Sequence, residues 1–166
     1  MRALVVVESV WGNTEALARA IVAGLGAGAT LTTADAAPDS LPADLDLLVV
    51  GGPTHAFGMS RPETRASARE QGATLVPERG IREFIAGLGT PPRGMRVATF
   101  DTRTVSPRLP GSAAKKALKR LVGLGFEPLA KPVSFGVHGY TGPLAEGEVA
   151  RAEAWGKEFA AALVGG

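Results

Sequence analysis

The sequence contains no cysteine among its 166 residues, which excludes disulfide bonds, thiolate metal sites and thiol catalysis. Aromatic residues make up only 5% of it and are not interleaved with basic residues, which argues against a stacking platform for nucleic acid. No apolar run approaches the length of a membrane span. The first such run, Ala3–Val7, is too short for a secretion signal, and the acidic Glu8 follows it. We therefore expect a soluble, cytoplasmic protein that binds neither membranes nor nucleic acid.

Positive charge is concentrated in the middle of the chain, although the net charge is only +2. Residues 61–120 carry 13 basic and five acidic side chains, whereas both flanking segments are net acidic. A segment this basic suits an acidic partner, a nucleotide or a nucleic acid, but it equally suits a solvated surface of arginine-rich helices. Composition alone leaves these interpretations open.

Short apolar runs alternate with amphipathic segments along the whole chain. The runs predicted to be strands are Ala3–Val7, Ala29–Thr33, Leu47–Val50, Met95–Phe100 and Val133–Val137. Segments with helical spacing lie between and after them, and one is predicted to begin with a capping box formed by Ser60 and Glu63. This alternation predicts a parallel sheet with helices on both faces, and right-handed crossovers favour the strand order 2-1-3-4-5. Residues 1–166 are therefore expected to form one α/β domain with a doubly wound, five-stranded parallel sheet.

The first predicted strand leads through Ser9-Val10-Trp11-Gly12-Asn13-Thr14 directly into a helix. A helix N-terminus offers free N–H groups and the positive end of the helix dipole, and both suit a phosphate dianion. Ser9 and Thr14 would add hydroxyl donors, while Gly12 and Asn13 tolerate the backbone conformations of an anion-binding turn. The loop contains no Lys or Arg, which fits a buried phosphate better than a nucleoside triphosphate. An ordinary N-capped turn is the alternative interpretation.

Two common nucleotide-binding motifs are absent from the sequence. There is no G-x-x-x-x-G-K-[ST], which argues against a P-loop NTPase. The glycines of Gly24-x-Gly26-x-Gly28 follow a helix instead of opening one, so they do not form a dinucleotide fingerprint. There is also no Ser/His/Asp arrangement and no metal-ligand spacing, and the carboxylates lie in scattered contexts typical of a surface. A mononucleotide is the ligand that best suits the loop.

Two further loops are expected at the same edge of the sheet. Ligands of open α/β sheets bind at the carboxyl ends of the strands, where the strand order reverses. In the predicted order, this point lies between the first and third strands. The third strand ends at Gly51–Gly58 and the fourth at Asp101–Arg103, so these two loops and Ser9–Thr14 should converge on one site.

These loops resemble those of the flavodoxin family. Ser9–Thr14 is similar to the family's phosphate-binding motif S/T-x-x-G-N/x-T, while Gly51–Gly58 and Asp101–Arg103 stand where its second and third flavin loops lie. The resemblance extends over essentially the whole chain. It looks closest to short flavodoxin-domain proteins that carry E-S-x-aromatic-G-N-T and G-G-P-T-H-A-F-G. It implies a flavodoxin-like fold and FMN as the cofactor.

The resemblance also implies roles for individual loops. The first loop would bind the FMN phosphate, the second would border the isoalloxazine, and the third would meet its pyrimidine edge, largely through backbone atoms. The Trp11 side chain would cover the ribityl chain or pack outward. The complete set of expected FMN-binding residues is Ser9, Val10, Trp11, Gly12, Asn13, Thr14, Pro53, Thr54, His55, Phe57, Gly58, Asp101, Thr102 and Arg103.

Two departures from the family bear on the chemistry. Flavodoxins that carry electrons are strongly acidic and usually hold the flavin between aromatic rings. This chain has a basic middle, and Phe57 is the only obvious aromatic candidate in its second loop. Arg103, together with His55 if it is charged, would favour the anionic reduced flavin, so we expect a less negative potential than a low-potential carrier has. His55 could instead serve only to hydrogen-bond the loop backbone.

The leading hypothesis is an FMN-binding redox protein that transfers electrons to or from a partner protein or a small-molecule acceptor. A one-electron carrier is favoured over an NAD(P)H-dependent quinone reductase, whose second loop is also similar to Pro53–Gly58. A third hypothesis is a flavin-free binding or regulatory module on the same fold. The protein is expected to be a monomer or a homodimer.

Overall fold

Strands and helices alternate along the computed structural model, which describes residues 1–166. In chain order the elements are β1 (Ala3–Val7), α1 (Asn13–Leu25), β2 (Ala29–Thr33), β3 (Leu47–Pro53), α2 (Pro62–Glu70), α3 (Ile81–Ala86), β4 (Arg96–Thr104), α4 (Ala113–Leu124), β5 (Glu127–Pro128), β6 (Val133–Val137) and α5 (Glu148–Val164). None of the helices combines the length and the apolarity that crossing a bilayer would require.

The sheet is parallel and has the strand order β2-β1-β3-β4-β5, with β6 also paired to β4. The predicted order is therefore confirmed, but there are six strands instead of five. Two of them share one edge: Glu127 of β5 pairs with Arg96, and Val133 of β6 pairs with Phe100 further along β4. Prolines 128 and 132 cannot donate ladder hydrogen bonds, which explains why this edge strand is interrupted.

Helices cover both faces of the sheet, so its central strands are buried on both sides. On one face, Val50 belongs to an apolar cluster with Phe84 of α3 and Leu121 of α4. On the other face, Phe100 makes an edge-to-face contact with Trp155 of α5, with ring centroids 6.2 Å apart. Burial on both faces explains why β1 and the start of β3 are continuous apolar runs without polar alternation.

Gly24, in the last turn of α1, has a packing role. A Cβ added at Gly24 would lie 2.1 Å from the carbonyl oxygen of Glu153, and one at Gly156 would lie 2.3 Å from that of Ile21. Helices α1 and α5 therefore approach each other closely where both lack side chains. This contact accounts for Gly24 without a nucleotide, in agreement with the rejection of a dinucleotide fingerprint.

Candidate functional site

A cleft of about 310 Å³ opens at the carboxyl ends of β1, β3, β4 and β6, which is the edge that the sequence predicted. Its volume falls at the lower end of the range for small-molecule sites. The residues that line it include Val10, Trp11, Asn13, Thr14, Pro53, Thr54, His55, Phe57, Thr102, Arg103, Leu109 and Tyr140. The three predicted segments therefore meet at one cleft, which is joined by a fourth segment after β6.

The first loop presents unpaired backbone donors. Gly12 has φ +91° and forms the N-cap of α1, and its N–H donates to Ser9 Oγ at 3.1 Å. The N–H groups that have no hydrogen-bond acceptor in the chain are those of Ser9, Val10, Trp11, Asn13, Thr14 and Glu15. Donors of this kind at the positive end of a helix dipole suit an anion.

Two side chains of this loop connect it to the rest of the site. Thr14 Oγ1 and Thr102 Oγ1 are 2.9 Å apart, which joins the first turn of α1 to β4. Asn13 Nδ2 donates to the carbonyl oxygen of Thr141 at 3.1 Å, which joins it to the segment after β6. The loop is thus held by contacts on both sides, and the Thr14 hydroxyl is already hydrogen-bonded.

The second loop contains a tight hairpin turn with an unusual backbone. His55 N donates to Gly58 O at 2.8 Å and Gly58 N to His55 O at 3.0 Å, so Ala56 and Phe57 occupy the tip. Both tip residues have positive φ, 45° and 71°. That combination is typical of a type I′ turn, which glycine, Asn and Asp normally occupy. The turn displays Phe57 at the cleft with 52% of its surface exposed, and local strain of this kind clusters at functional sites.

His55 lines the cleft as a neutral side chain. Burial, and then the charge of Arg65, lower the pKa of His55 below its ordinary 6.5, so it carries no charge at neutral pH. Its Nδ1 lies 3.3 Å from Thr64 Oγ1, and the Thr64 hydroxyl donates to the Arg61 carbonyl. Nδ1–H is therefore the donor in that contact, which leaves Nε2 to accept a hydrogen bond. The expectation that a charged His55 helps to raise the flavin potential is not supported.

The third predicted segment is part of a strand and not a loop, because β4 continues to Thr104. As neighbours in the strand, Asp101 and Thr102 point to opposite faces of the sheet. Thr102 and Arg103 line the cleft, and Arg103 Nη2 donates to Leu109 O at 2.6 Å. Asp101 does not line it. Its Oδ2 accepts hydrogen bonds from Ser112 Oγ at 2.5 Å and Ala114 N at 3.0 Å, so Asp101 caps α4 instead.

Three more of the expected residues lie just outside the cleft. Ser9 and Gly12 border a neighbouring cleft that shares Val10 and Trp11 with the first. Gly58 is buried at the base of the hairpin turn. Tyr140, by contrast, lines the cleft and was not predicted. The signal for it was topological, because the segment Gly139–Gly142 follows a strand of the same parallel sheet and so begins at the same edge.

A buried polar cluster lies behind the first two loops. Glu8 is fully buried; its Oε2 accepts from Ser60 Oγ at 2.5 Å and its Oε1 from Ile81 N at 2.8 Å. Arg65, also buried, donates from Nη1 to Ser60 Oγ at 2.8 Å and forms an ion pair with Glu83 through Nη2. We call Glu8, Ser60, Arg65, Ile81 and Glu83 the buried cluster; Ile81 takes part through its backbone N–H. It ties the end of β1 to the second loop, α2 and α3.

The buried cluster corrects three expectations from the sequence. The carboxylate of Glu8 is not in a surface context, and Arg65 of the basic segment is not solvated. Ser60 does not cap α2, because its hydroxyl donates to Glu8. The N-cap is Arg61, whose N–H donates to Thr64 Oγ1 at 2.9 Å.

Glu8 makes the stability of the protein pH-dependent. Burial raises the pKa of Glu8 above its ordinary 4.5, outweighing the hydrogen bonds from Ser60 and Ile81 and the charge of Arg65. The folded state therefore holds this proton more tightly than the unfolded chain, and the group's contribution to stability falls as pH rises above 4.5. We expect Glu8→Gln to remove that loss, so the variant should gain stability relative to wild type as pH rises. Urea denaturation of both proteins at a series of pH values above 4.5 measures the difference in their free energies of unfolding. A difference that does not change with pH, or that changes in favour of wild type as pH rises, contradicts the prediction.

Similarity to known proteins lies in the structure and not in the sequence: no protein-family model and no curated protein matches the chain. A flavodoxin from the domain Archaea matches with a TM-score of 0.67 at 18% identity, covering 99% of both chains. Oxidised Flavodoxin 2 from Bacillus cereus matches with a TM-score of 0.68 at 19% identity, covering 98% of this chain and 99% of that one. The chain has the flavodoxin-like fold. A flavodoxin, WrbA-like protein from Agrobacterium tumefaciens has the same fold, with a TM-score of 0.58 at 18% identity over 98% of this chain and 97% of that one.

Proposed function

We propose that the cleft binds FMN and that the protein transfers electrons through the bound flavin. The observation that carries this proposal is the first loop, where six backbone N–H groups without acceptors lie at a helix N-terminus beside the cleft. A phosphate dianion is the ligand group that such a donor set suits best. The flavodoxin-like fold supports a flavin as the rest of that ligand, as do the aromatic residues of the cleft.

The side chains around the cleft suit a planar aromatic head group. Trp11, Phe57 and Tyr140 come from three separate loops and supply aromatic surface on which a ring could pack. His55 Nε2 would accept a hydrogen bond from an N–H or O–H of the ligand. When bound, FMN supplies one-electron and two-electron redox chemistry, while the residues of the cleft position it and set its potential.

Reduction of the FMN-loaded protein separates the two forms of this proposal. Anaerobic photoreduction that proceeds in two resolved one-electron steps supports an electron carrier. A single two-electron step, together with oxidation of NADPH in the presence of a quinone, supports a quinone reductase. A protein whose FMN is not reduced under either condition would contradict both.

The potential of the bound flavin is expected to be less negative than that of the acidic flavodoxins. Because His55 is neutral, this expectation depends on Arg103, which lines the cleft and whose charge would attract the anionic reduced flavin. Equilibration with redox dyes of known potential measures it. A potential as negative as that of an acidic flavodoxin would show that Arg103 does not act in this way.

A further inference from the structure

Helix α4 carries an arrangement of charge that does not favour its own stability. Lys115, Lys116, Lys119 and Arg120 are all exposed, none forms an ion pair, and the helix contains no acidic residue. Two of the lysines lie in the first turn, where the helix dipole disfavours cations. Residues 115 and 119, and likewise 116 and 120, are like-charged neighbours one turn apart. A negative charge on a binding partner would relieve this repulsion.

Lys116 of this helix lies beside the second loop, near the cationic side chain of Arg82. A Cβ added at Gly58 would lie 3.1 Å from Lys116 Nζ, so this ammonium group lies against the turn that displays Phe57. Arg82 is fixed nearby by hydrogen bonds from Nε to Ser60 O at 3.1 Å and from Nη2 to Met59 O at 2.9 Å.

The arginines around this position repel one another. Partial burial, followed by the charges of Arg120 and Arg61, lowers the pKa of Arg82. Arg61 adjoins Ser60, whose carbonyl oxygen accepts from Arg82, and Arg120 lies one helical turn after Lys116; none of the three arginines is in an ion pair. We call Arg61, Arg82, Lys116 and Arg120 the basic patch. None of the four lines the cleft, so binding of FMN would leave the patch available.

Two exposed apolar side chains lie at the cleft, and one of them, Phe57, precedes the Gly58 position that Lys116 lies against. Phe57 and Leu109 are 52% and 47% exposed, and both line the cleft. An apolar centre beside a charged margin is the usual composition of a protein–protein interface. The patch extends from the N-cap of α2 to α3 and α4, which is broader than a single small anion requires. Nucleic acid fits less well, because the exposed aromatic residues, Phe57 and Tyr140, line the cleft and do not alternate with the cations.

We infer that the basic patch docks an acidic protein partner, with Phe57 and Leu109 at the centre of the contact and the cleft beneath it. The patch would steer carboxylates of the partner towards the exposed side of the cleft by long-range attraction. If the proposed function holds, this partner exchanges electrons with the flavin, so this role depends on that proposal. The charge of the docking surface is then opposite to that of an acidic carrier.

Binding of poly-L-glutamate to the full chain tests the patch without any redox step. Wild type should bind the polymer with an affinity that falls as salt is raised. Lys116→Gln combined with Arg120→Gln should weaken binding at low salt by about 10-fold or more, with the difference shrinking at high salt. Arg93→Gln combined with Lys131→Gln makes the same change in net charge at two exposed cations outside the patch, and it should alter binding less than about 2-fold.

A second arm uses a protein probe and the loaded flavin. Stopped-flow electron transfer from a reduced, acidic [2Fe–2S] ferredoxin should slow with rising salt in wild type, and it should be about 10-fold slower at low salt in the Lys116/Arg120 variant. FMN affinity should be the same in all three proteins. Equal effects of the two variant pairs, or tighter binding of a DNA duplex than of poly-L-glutamate, would overturn the inference. If FMN does not bind at all, the proposed function fails, but the polymer arm still decides whether the patch binds an acidic chain.

Discussion

Replacing Arg65 with methionine is expected to lower the free energy of unfolding by about 3 kcal/mol, the lower end of the cost of breaking a buried ion pair, because the Glu83 side chain is 33% exposed. The substitution removes the donor to Ser60 Oγ and the partner of the Glu83 carboxylate, while methionine fills much of the space of the arginine stem. That loss is a large fraction of the total stability of a typical domain. Chemical denaturation at neutral pH measures it.

Arg69→Met is the matched control, because Arg69 is an exposed arginine on the same helix that forms no ion pair. It should change stability by less than about 0.5 kcal/mol. If Arg65→Met prevents folding, Arg65→Lys provides the measurement instead. Lysine keeps the charge but lacks the planar guanidinium that donates to Ser60 and Glu83 at the same time. An Arg65 variant as stable as the Arg69 variant would show that the buried cluster does not hold the two loops together.

Replacing Gly12 with aspartate is expected to weaken FMN binding at least about 100-fold. The position is exposed and a Cβ there would meet nothing within 4 Å, so the new carboxylate can be accommodated beside the free N–H groups. Those groups are the proposed phosphate site, and a negative charge about 6 Å from a dianion costs several kcal/mol at an effective dielectric constant of about 20. Fluorescence titration with FMN measures the affinity.

Gly12→Asn is the control for the backbone. Asparagine and aspartate both tolerate the left-handed conformation that Gly12 adopts, so the two variants differ essentially in charge. The asparagine variant should bind FMN within a few-fold of wild type. Riboflavin lacks the phosphate, so both variants should bind it equally well. Equal loss of FMN affinity in both variants would place the phosphate elsewhere.

The order of the strands followed directly from the sequence because it depends on a pattern that runs along the whole chain. Buried strands such as Ala3–Val7 are continuous apolar runs, and handedness leaves few ways to connect them. The division of the last edge into β5 and β6 was missed, since two residues at Glu127–Pro128 produce no periodicity of their own.

The site was predictable to the level of loops but not of side chains. The carboxyl ends of parallel strands had to converge, which is why the segments around Asn13, Thr54 and Thr102 meet at one cleft. Which way each side chain points depends on where a strand ends. Because β4 continues through Thr104, Asp101 faces the start of α4 while Thr102 faces α1.

The buried cluster was the feature least accessible to sequence reasoning. Glu8, Ser60 and Arg65 are polar residues far apart in the chain, and each alone is typical of a surface. Their burial becomes favourable only when the fold brings donors and acceptors together, which is a tertiary property. Composition could not show that Arg65 is buried in this cluster whereas Arg120 is exposed to solvent.

The central claim is that the first loop selects a flavin by its phosphate. Titration of the purified wild-type protein, stripped of any bound ligand, with FMN and with riboflavin tests it most directly. We predict saturation at one FMN per chain and an affinity for riboflavin at least about 100-fold lower, since several hydrogen bonds to a charged group are lost. Equal affinity for the two flavins, or no binding of FMN, would contradict the account.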